Sequence, residues 1–536
     1  MDRLTGSGLL SDGMSVGRRQ FLRGAVATSA IAGAGGLLAA CSSGSDGTSA
    51  KTGVPDAAQT RRRGGSLKLG LSGGSSDDTM DPHAGVVYID YARINSVYQP
   101  LVFLNNQAEI QYGLAEKIEP RDKKATEWLI HLRQGIKFHD GKPFTADDVI
   151  FSLARAQKNN AAAALATVDA KGLKALDANT VLVPMTSPFG RLVEQLAAFF
   201  FDLYMAPVSF DPSKPNGTGP FVFQSFTPGA RSVFTRNKNY WKSGLPYVDT
   251  LEIIDFSDNV SLQNALVTDV VQGAGALDPQ QIAALSSTKG VTAVAAKAGG
   301  FLPFTMRLDQ APFTDVRVRQ AMRLLVDRQQ MIDSALGGYA TLASDVFSPY
   351  DPDFDKSLQR HVDIPQAKFL LKQAGQSDLT VQMTTSAIAS GTIAMATVLS
   401  EQARAAGVTI KLNQVDPGTF FGDSYLSWNF SQDYYPYLPY LSQLAYSIVP
   451  GSPFNECHLK DAQYLSLYQQ ANETSSVPLR KEIESKLQEY DFNNGGYIIP
   501  AFSDSLDAYS DKIIGYSPAK VGEPLSNFDF EHFSFV

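Results

Sequence analysis

The chain has 536 residues, more than one ordinary hydrophobic core organises, so two or three domains are expected. Its 44% hydrophobic and 10% aromatic content belongs to a globular protein, and a net charge of −8 without any basic stripe argues against a nucleic-acid partner. Two cysteines, Cys41 and Cys457, and six scattered histidines without ligand spacing give no basis for a metal site or a bound cofactor.

The first forty residues read as a targeting segment rather than as part of the fold. Gly17-Arg-Arg-Gln-Phe-Leu-Arg23 resembles a twin-arginine export motif centred on Arg18 and Arg19. A run of small apolar residues follows from Ala25 to Ala40, shorter than the ~20 residues that a spanning helix needs. Leu38-Ala-Ala-Cys41 resembles a lipobox, which implies that Cys41 becomes the lipid-bearing first residue of the mature protein. Cys457 then has no disulfide partner. Cleavage removes four Arg and two Asp, a net +2, so the charge moves from −8 to −10. Residues 41–64 are polar, small and free of apolar periodicity, the composition of a flexible tether.

Folded sequence starts with the strand pattern Ser66-Leu-Lys-Leu-Gly-Leu71 and a loop to His83. Gly70-Leu-Ser72-Gly-Gly74 fits G-x-S-x-G, but a nucleophile elbow needs a helix directly after the serine, and Ser75, Ser76, Asp77 and Asp78 read as loop. Helical spacing runs from Tyr91 toward Leu101. In Trp128 to Ser152, Trp128, Ile130 and Leu132 alternate with Leu129, His131 and Arg133, as in a half-buried strand. Asp140-Gly141 makes a turn, a short second strand follows, and Thr145 caps a helix with Asp148 three residues on.

Further along, Asn216-Gly-Thr-Gly-Pro-Phe221 is a glycine turn, read as supplying conformations closed to other residues. Gly300 to Phe313 reads as an extended crossing. Thr314 is expected to cap one helix from Asp315 to Leu336. Asp363 begins another helix with an early proline, and Gly375 ends it. Thr380–Met383, Thr392–Ala406 and Val408–Leu412 form a β-α-β unit, hence a parallel pair. A helix over 479–490 precedes a return crossing at Tyr497–Phe502.

The stretch WLIHLRQGIKFHDGKPFTADDVIFS resembles the signature of family 5 extracellular solute-binding proteins, the peptide-, nickel- and dipeptide-type receptors of ABC importers. Tyr98-Gln-Pro-Leu101, the Asn216–Phe221 turn, Asn239-Tyr-Trp241 and the 300–313 stretch resemble further family elements, so the likeness covers roughly residues 65–520. It implies an α/β, two-lobed fold of the type II periplasmic-binding-protein kind, with an extra small subdomain in the first lobe. The expected division is lobe I over 65–100, 216–300 and 499–536, the subdomain over 101–215, and lobe II over 301–498.

The resemblance also implies a function and a site. The protein is expected to be a binding protein and not an enzyme: an exported monomer, lipid-anchored to the outer face of the cell membrane or periplasmic. It would capture a small-molecule or peptide ligand for an ABC permease and its ATPase. Peptide is the default solute, although family members also take nickel chelates, haem, opines and sugars. A surface sensor or adhesin on the same fold is the alternative, and a surface hydrolase a further one. In peptide-binding members a Trp and an Asp meet the peptide, the Asp at its α-amino group. Trp428 and Asp433 are the matching types here, spaced more widely than W-x-x-D, with Tyr434 beside them. Arg307, five residues before Pro312-Phe313 where an Asn is usual, is a candidate for a ligand carboxylate. The structural alternatives are a core Trp428, a loop-capping Asp433 and a salt-bridged Arg307.

Two variants test the export reading. Arg18→Lys with Arg19→Lys leaves precursor in the cytoplasm, and Cys41→Ala yields protein that cell fractionation no longer finds bound to lipid. A fully membrane-bound Cys41→Ala protein would contradict the lipobox assignment.

Overall fold

The computed structural model describes residues 60–162, 164–452 and 454–536. The export segment, Arg18, Arg19, Cys41 and most of the tether lie outside the described residues.

Three main sheets carry the architecture. The largest has eight strands: Phe221–Thr227, Arg231–Arg236, Thr250–Phe256, Ser66–Ser72, Gly273–Ala274, Ala501–Ser510 and Val291–Phe301 in that order, with Ala340–Leu342 also paired to Ala501–Ser510. Ser66–Ser72 lies at its centre, parallel to Thr250–Phe256 and to Gly273–Ala274. Its Leu67, Leu69 and Leu71 are fully buried. The second sheet runs Thr409–Gln414, Thr380–Thr385, Phe430–Gln432, Phe304–Met306, Tyr497–Ile498. There the β-α-β unit forms as its pattern requires, with Thr380–Thr385 and Thr409–Gln414 parallel around the helix Thr392–Ala403. The third is antiparallel: Ala115–Pro120, Glu127–Leu132, Thr180–Pro184, Lys174–Asp177.

The signature stretch turns out to be a staple. Trp128, Ile130 and Leu132 point into the core of the third sheet, and the Trp128 indole donates to the Phe189 carbonyl at 3.0 Å. Thr145 and Asp148 form a reciprocal capping box on the helix Ala146–Ala156. The expected second strand is reduced to one antiparallel bridge, Lys137 with Pro143. His139 exchanges backbone and ring hydrogen bonds with Gly217 and Gly219, and the Asp140 amide donates to Asn216. The signature therefore ties the third sheet to the 216–221 turn. Neither Gly217 nor Gly219 has a positive φ, contrary to the conformational reading. They are glycines because a Cβ at either would run into the Val97 carbonyl.

Two chain segments cross between the first and second sheets. Val291–Phe301 leaves the eight-stranded sheet, and after Leu302-Pro303 the strand Phe304–Met306 joins the five-stranded one. Tyr497–Ile498 returns through Ile499-Pro500 into Ala501–Ser510. Both joints hold a proline, which has no N–H to continue a ladder, so each sheet ends there. Two expected features of the following helix are corrected. Asp315, not Thr314, caps it by accepting from the Arg317 amide, since the carboxylate takes the orphan N–H more strongly than a hydroxyl. It also stops at Leu324, because Asp327 caps a separate helix, Arg328–Ala335, through the Gln330 amide.

The return crossing is anchored by one buried carboxylate. Asp345 receives both 2.9 Å bonds of the Arg328 guanidinium, a 2.6 Å contact from Arg360 Nε and the Ile499 amide at 3.0 Å. These guanidinium charges hold its pKa below the usual carboxylate value although burial opposes them. A second buried cation, Arg191, joins the third sheet's subdomain to the helices beside the second sheet: it donates to Asn472 at 2.5 Å, Ser442 at 3.1 Å and the Leu441 carbonyl at 3.3 Å. Cys457 is buried under Gly496, where any Cβ would collide with its sulfur, and burial pushes its thiol pKa up.

Asp345→Ala leaves two guanidinium groups enclosed without their anion, so denaturant unfolding should show a loss of about 3–5 kcal/mol. The folded-state pKa of Asp345 is depressed, so its contribution is present above the unfolded value near ~3.9 and is lost as pH falls through the lower folded value. A variant as stable as the parent at pH 7 would remove Asp345 from this role.

Candidate ligand-binding cleft

A third extended segment spans the two sheets beside the crossings. Phe430–Gln432 pairs with Phe304–Met306, and three residues later Tyr435 exchanges both backbone hydrogen bonds with Phe301 of the eight-stranded sheet. Asp433 and Tyr434 lie between those pairings, at the hinge itself. The Asp433 amide donates to the Pro303 carbonyl at 3.2 Å. Its side chain is fully buried, accepting from the Tyr425 hydroxyl and the Tyr434 amide, each at 2.8 Å.

The aromatic stretch packs around this carboxylate. The Trp428 indole donates to the Phe420 carbonyl at 3.1 Å, and its ring stacks on Phe420 at 6.3 Å between centroids. Phe421 meets Tyr425 edge-on at 5.1 Å. Trp428 and Tyr434 both pack against the Phe420–Phe421 pair, so the structure brings Trp428, Asp433 and Tyr434 into one cluster.

Arg307 is not part of it. The antiparallel register sets Phe304 opposite Gln432 and Met306 opposite Phe430, so Asp433 leaves the hinge end of the pair and Arg307 the far end. The Arg307 guanidinium forms a bidentate pair with Asp309 at 2.9 and 3.0 Å and reaches the Leu426 and Ser427 carbonyls at 3.5 and 3.3 Å. It braces the loop that precedes Trp428. Its donors are engaged within its own lobe, the salt-bridged alternative of the two readings of Arg307.

The opposing wall comes from the first lobe. Tyr88, at the start of the helix Tyr88–Val97, is 43% exposed to water, and desolvation drives its phenol well above the usual pKa. This ring marks the first-lobe side of the candidate cleft. Tyr434 and the carboxyls of Glu523 and Asp507 raise the Tyr88 value further, so these groups share that space. One turn along, Tyr91 meets Phe201 at 5.3 Å with the rings tilted by 45°, and its phenol pKa is raised further by Asp202, Tyr446 and Glu523. Tyr446 in turn lies 6.1 Å from Phe199, closing the cleft from the second lobe. Burial pushes Glu523 up to about 8, Asp202 to about 7 and Asp507 to about 6.

Glu523 is held by unusual backbone. Leu525, Ser526, Asn527 and Phe528 are four successive non-glycine residues with φ between 51° and 62°. Left-handed backbone costs about 1–2 kcal/mol per residue. Surrounding hydrogen bonds offset it: the Leu525 amide to Asp507 at 2.8 Å, the Ser517 amide to Ser526 at 2.8 Å, Asn95 to the Phe528 carbonyl at 2.8 Å, and Asn527 to the Leu104 carbonyl at 3.1 Å. Strain of this kind concentrates at functional segments.

Tyr88, Tyr91 and Glu523 were not among the residues expected from sequence. Tyr88 and Tyr91 carry a usable signal, two rings three positions apart on one helix face; Glu523 carries none. Ser72 of the G-x-S-x-G stretch ends a strand, donates to Asn259 at 2.7 Å and is followed by loop up to Tyr88. No helix among the described residues is long and apolar enough to cross a membrane.

Comparison with known proteins agrees with this geometry. Glutathione-binding protein GsiB of Salmonella typhi is 28% identical over 315 residues, 57% of this chain and 61% of that protein, and the Escherichia coli O157:H7 protein of the same name is 28% identical over 312 residues. The match thus spans less than two thirds of those relatives. Among solved structures, the periplasmic binding protein AgaA of A. tumefaciens R10 in complex with agropinic acid superposes with a TM-score of 0.75 at 21% identity, covering 88% of this chain and 99% of that one. DppA of Helicobacter pylori in complex with the peptide STSA gives 0.73 at 18% identity, covering 88% and 98%. CtaP of Listeria monocytogenes, an ABC transporter substrate-binding protein, gives 0.77 at 19% identity, covering 88% and 100%. The fold is the two-lobed α/β fold of type II periplasmic binding proteins. The model of the bacterial extracellular solute-binding proteins, family 5 Middle, matches residues 109–450, and the chain belongs to that family.

Proposed function

We propose that this protein is a lipid-anchored receptor that encloses a peptide between its lobes outside the membrane and delivers it to an ABC permease and ATPase for uptake. It acts as a binding protein, not as an enzyme, and as a monomer held by Cys41. The observation that carries this reading is the buried Asp433 carboxylate at the hinge, held by Tyr425 and by Tyr434, whose own ring lies in the electrostatic neighbourhood of Tyr88 of the first lobe. Asp433 accepts the α-ammonium of the peptide, and Tyr434 and Trp428 wall it. An ammonium sealed from water needs an opposite charge, and rings beside it add a cation–π attraction of ~0.5–2 kcal/mol. Support also comes from relatives named for glutathione and a solved neighbour holding a peptide. The hinge prolines let the lobes close on a ligand that contacts both.

Truncating one member of an enclosed charge pair typically costs ~2–5 kcal/mol. Asp433→Ala should therefore weaken binding of trialanine by about 30-fold or more in titration calorimetry, and N-acetylation of the peptide should cost the parent protein a comparable factor. Unchanged affinity in a folded Asp433→Ala protein would leave Asp433 with a structural role alone. Small-angle scattering should give a smaller radius of gyration with saturating trialanine than without it, and identical profiles would contradict closure.

A further inference from the structure

The cleft contains a second acid that the reading above does not use. Among the described residues, Glu523 Oε2 is buried and meets no hydrogen-bond donor. Burial raises the pKa of the group, and no lysine or arginine among the described residues offsets it. Other buried carboxyls have cations or amides against them: Asp345 has Arg328 and Arg360, Asp507 takes the Ala276 and Leu525 amides, and Asp504, although one of its oxygens also lacks a donor, has Lys297 at 2.9 Å. An orphan of this kind calls for a physical cause. Poor local packing is not that cause, because the left-handed turn after Glu523 is fastened at each of its four residues by the bonds given above. The fold thus spends strained backbone to present one unpaired carboxyl to the cleft.

The surroundings of Glu523 select the partner. The charge of Glu523 raises the phenol pKa of Tyr88, Tyr91 and Tyr204, so these three rings lie in its electrostatic neighbourhood on the first-lobe side. Tyr204 already donates to Asn95 at 3.1 Å and cannot turn its proton to Glu523 without breaking that bond. Asp202 and Asp507 stand on the neighbouring elements and add acidity to the wall. Tyr434 and Tyr446 face the same tyrosines from the second lobe. A carboxyl with phenol rings and further acids in its neighbourhood attracts an organic cation and repels an anion.

We propose that Glu523 is a second cation-accepting subsite, which takes an ammonium or guanidinium group of a ligand whose α-ammonium sits at Asp433. This rests on the peptide-receptor reading and narrows it to peptides with a basic side chain. Because the empty group is held neutral near pH 7, pairing with a cation also releases a proton.

The test is titration calorimetry of the lipid-free mature protein with Ala-Lys-Ala, with Ala-norleucine-Ala as its uncharged isostere, and with agmatine as a cation that has no peptide bond. The parent should prefer Ala-Lys-Ala to the norleucine peptide by about 10-fold or more, and Glu523→Gln, which keeps shape and removes charge, should erase that preference. Titration at pH 7 in buffers of different ionisation enthalpy should show about one proton released per Ala-Lys-Ala in the parent and none at this step in Glu523→Gln, although Asp202 is unchanged. Thermal unfolding of Glu523→Gln at or above the parent's temperature confirms that the variant is folded. A preference that survives Glu523→Gln, or a parent without preference, overturns the subsite while leaving Asp433-dependent peptide binding intact. Agmatine bound in a Glu523-dependent way by a protein that ignores both peptides sustains the subsite and refutes the peptide reading. Failure of the parent to bind any of the three at millimolar concentration overturns the subsite as well.

Discussion

The Asp345 carboxylate, enclosed with Arg328 and Arg360, fixes the joint on which the two lobes turn. An ion taken out of water survives only where its partners replace its hydration, and here a bidentate guanidinium, a second guanidinium and the Ile499 amide do so. The result is directional as well as stabilising, because Ile499 is the residue between the last strand of one sheet and the return strand of the other. With Ile499 fixed, Tyr497–Ile498 stays in register beside Phe304–Met306, and that strand sets Phe430–Gln432. Asp433 follows directly on that strand. The position of the candidate site is thus inherited, strand by strand, from a charge cluster outside it.

The two buried carboxyls of the cleft illustrate how environment divides one chemistry into two behaviours. Asp433 is supplied with a phenol and a backbone amide from its own segment. Glu523 Oε2 is enclosed without a donor among the described residues, and burial raises its pKa from the ordinary carboxyl value to about 8. Arg307 shows the complementary case. Its fork is filled by Asp309 and by two carbonyls, so a cation that looks free in the sequence serves as a brace in the fold.

Much of this was legible in the sequence wherever a pattern is local. Alternation at Trp128–Arg133, the Thr145–Asp148 box and the β-α-β spacing at 380–412 each depend on neighbours in the chain, and each forms as its pattern demands. The hinge was readable only because the crossings occupy continuous stretches at 300–306 and 497–502. Most illegible features depend on partners far away in sequence. Gly217 and Gly219 are small because Val97 lies against them, not because their own dihedrals demand it. The helix break at 325–327 shows no proline or glycine, only a second capping aspartate. Glu523 sits in a stretch with neither periodicity nor motif, and its importance arises from rings contributed by Tyr88, Tyr91 and Tyr204.

Cys457 carries a consequence for the compartment in which such a receptor works. Thiolate, not thiol, is the species that attacks oxidants and disulfides, and the close packing of Gly496 over the sulfur both excludes reagents and keeps its proton on. A lone cysteine in an oxidising environment is otherwise a route to mixed disulfides and covalent dimers. Shielded in this way, Cys457 behaves as a small apolar side chain, and the folded receptor is redox-silent. The same thiol becomes a reporter once the packing around Gly496 and Met306 opens, so its alkylation rate records excursions of the first crossing strand away from the fold.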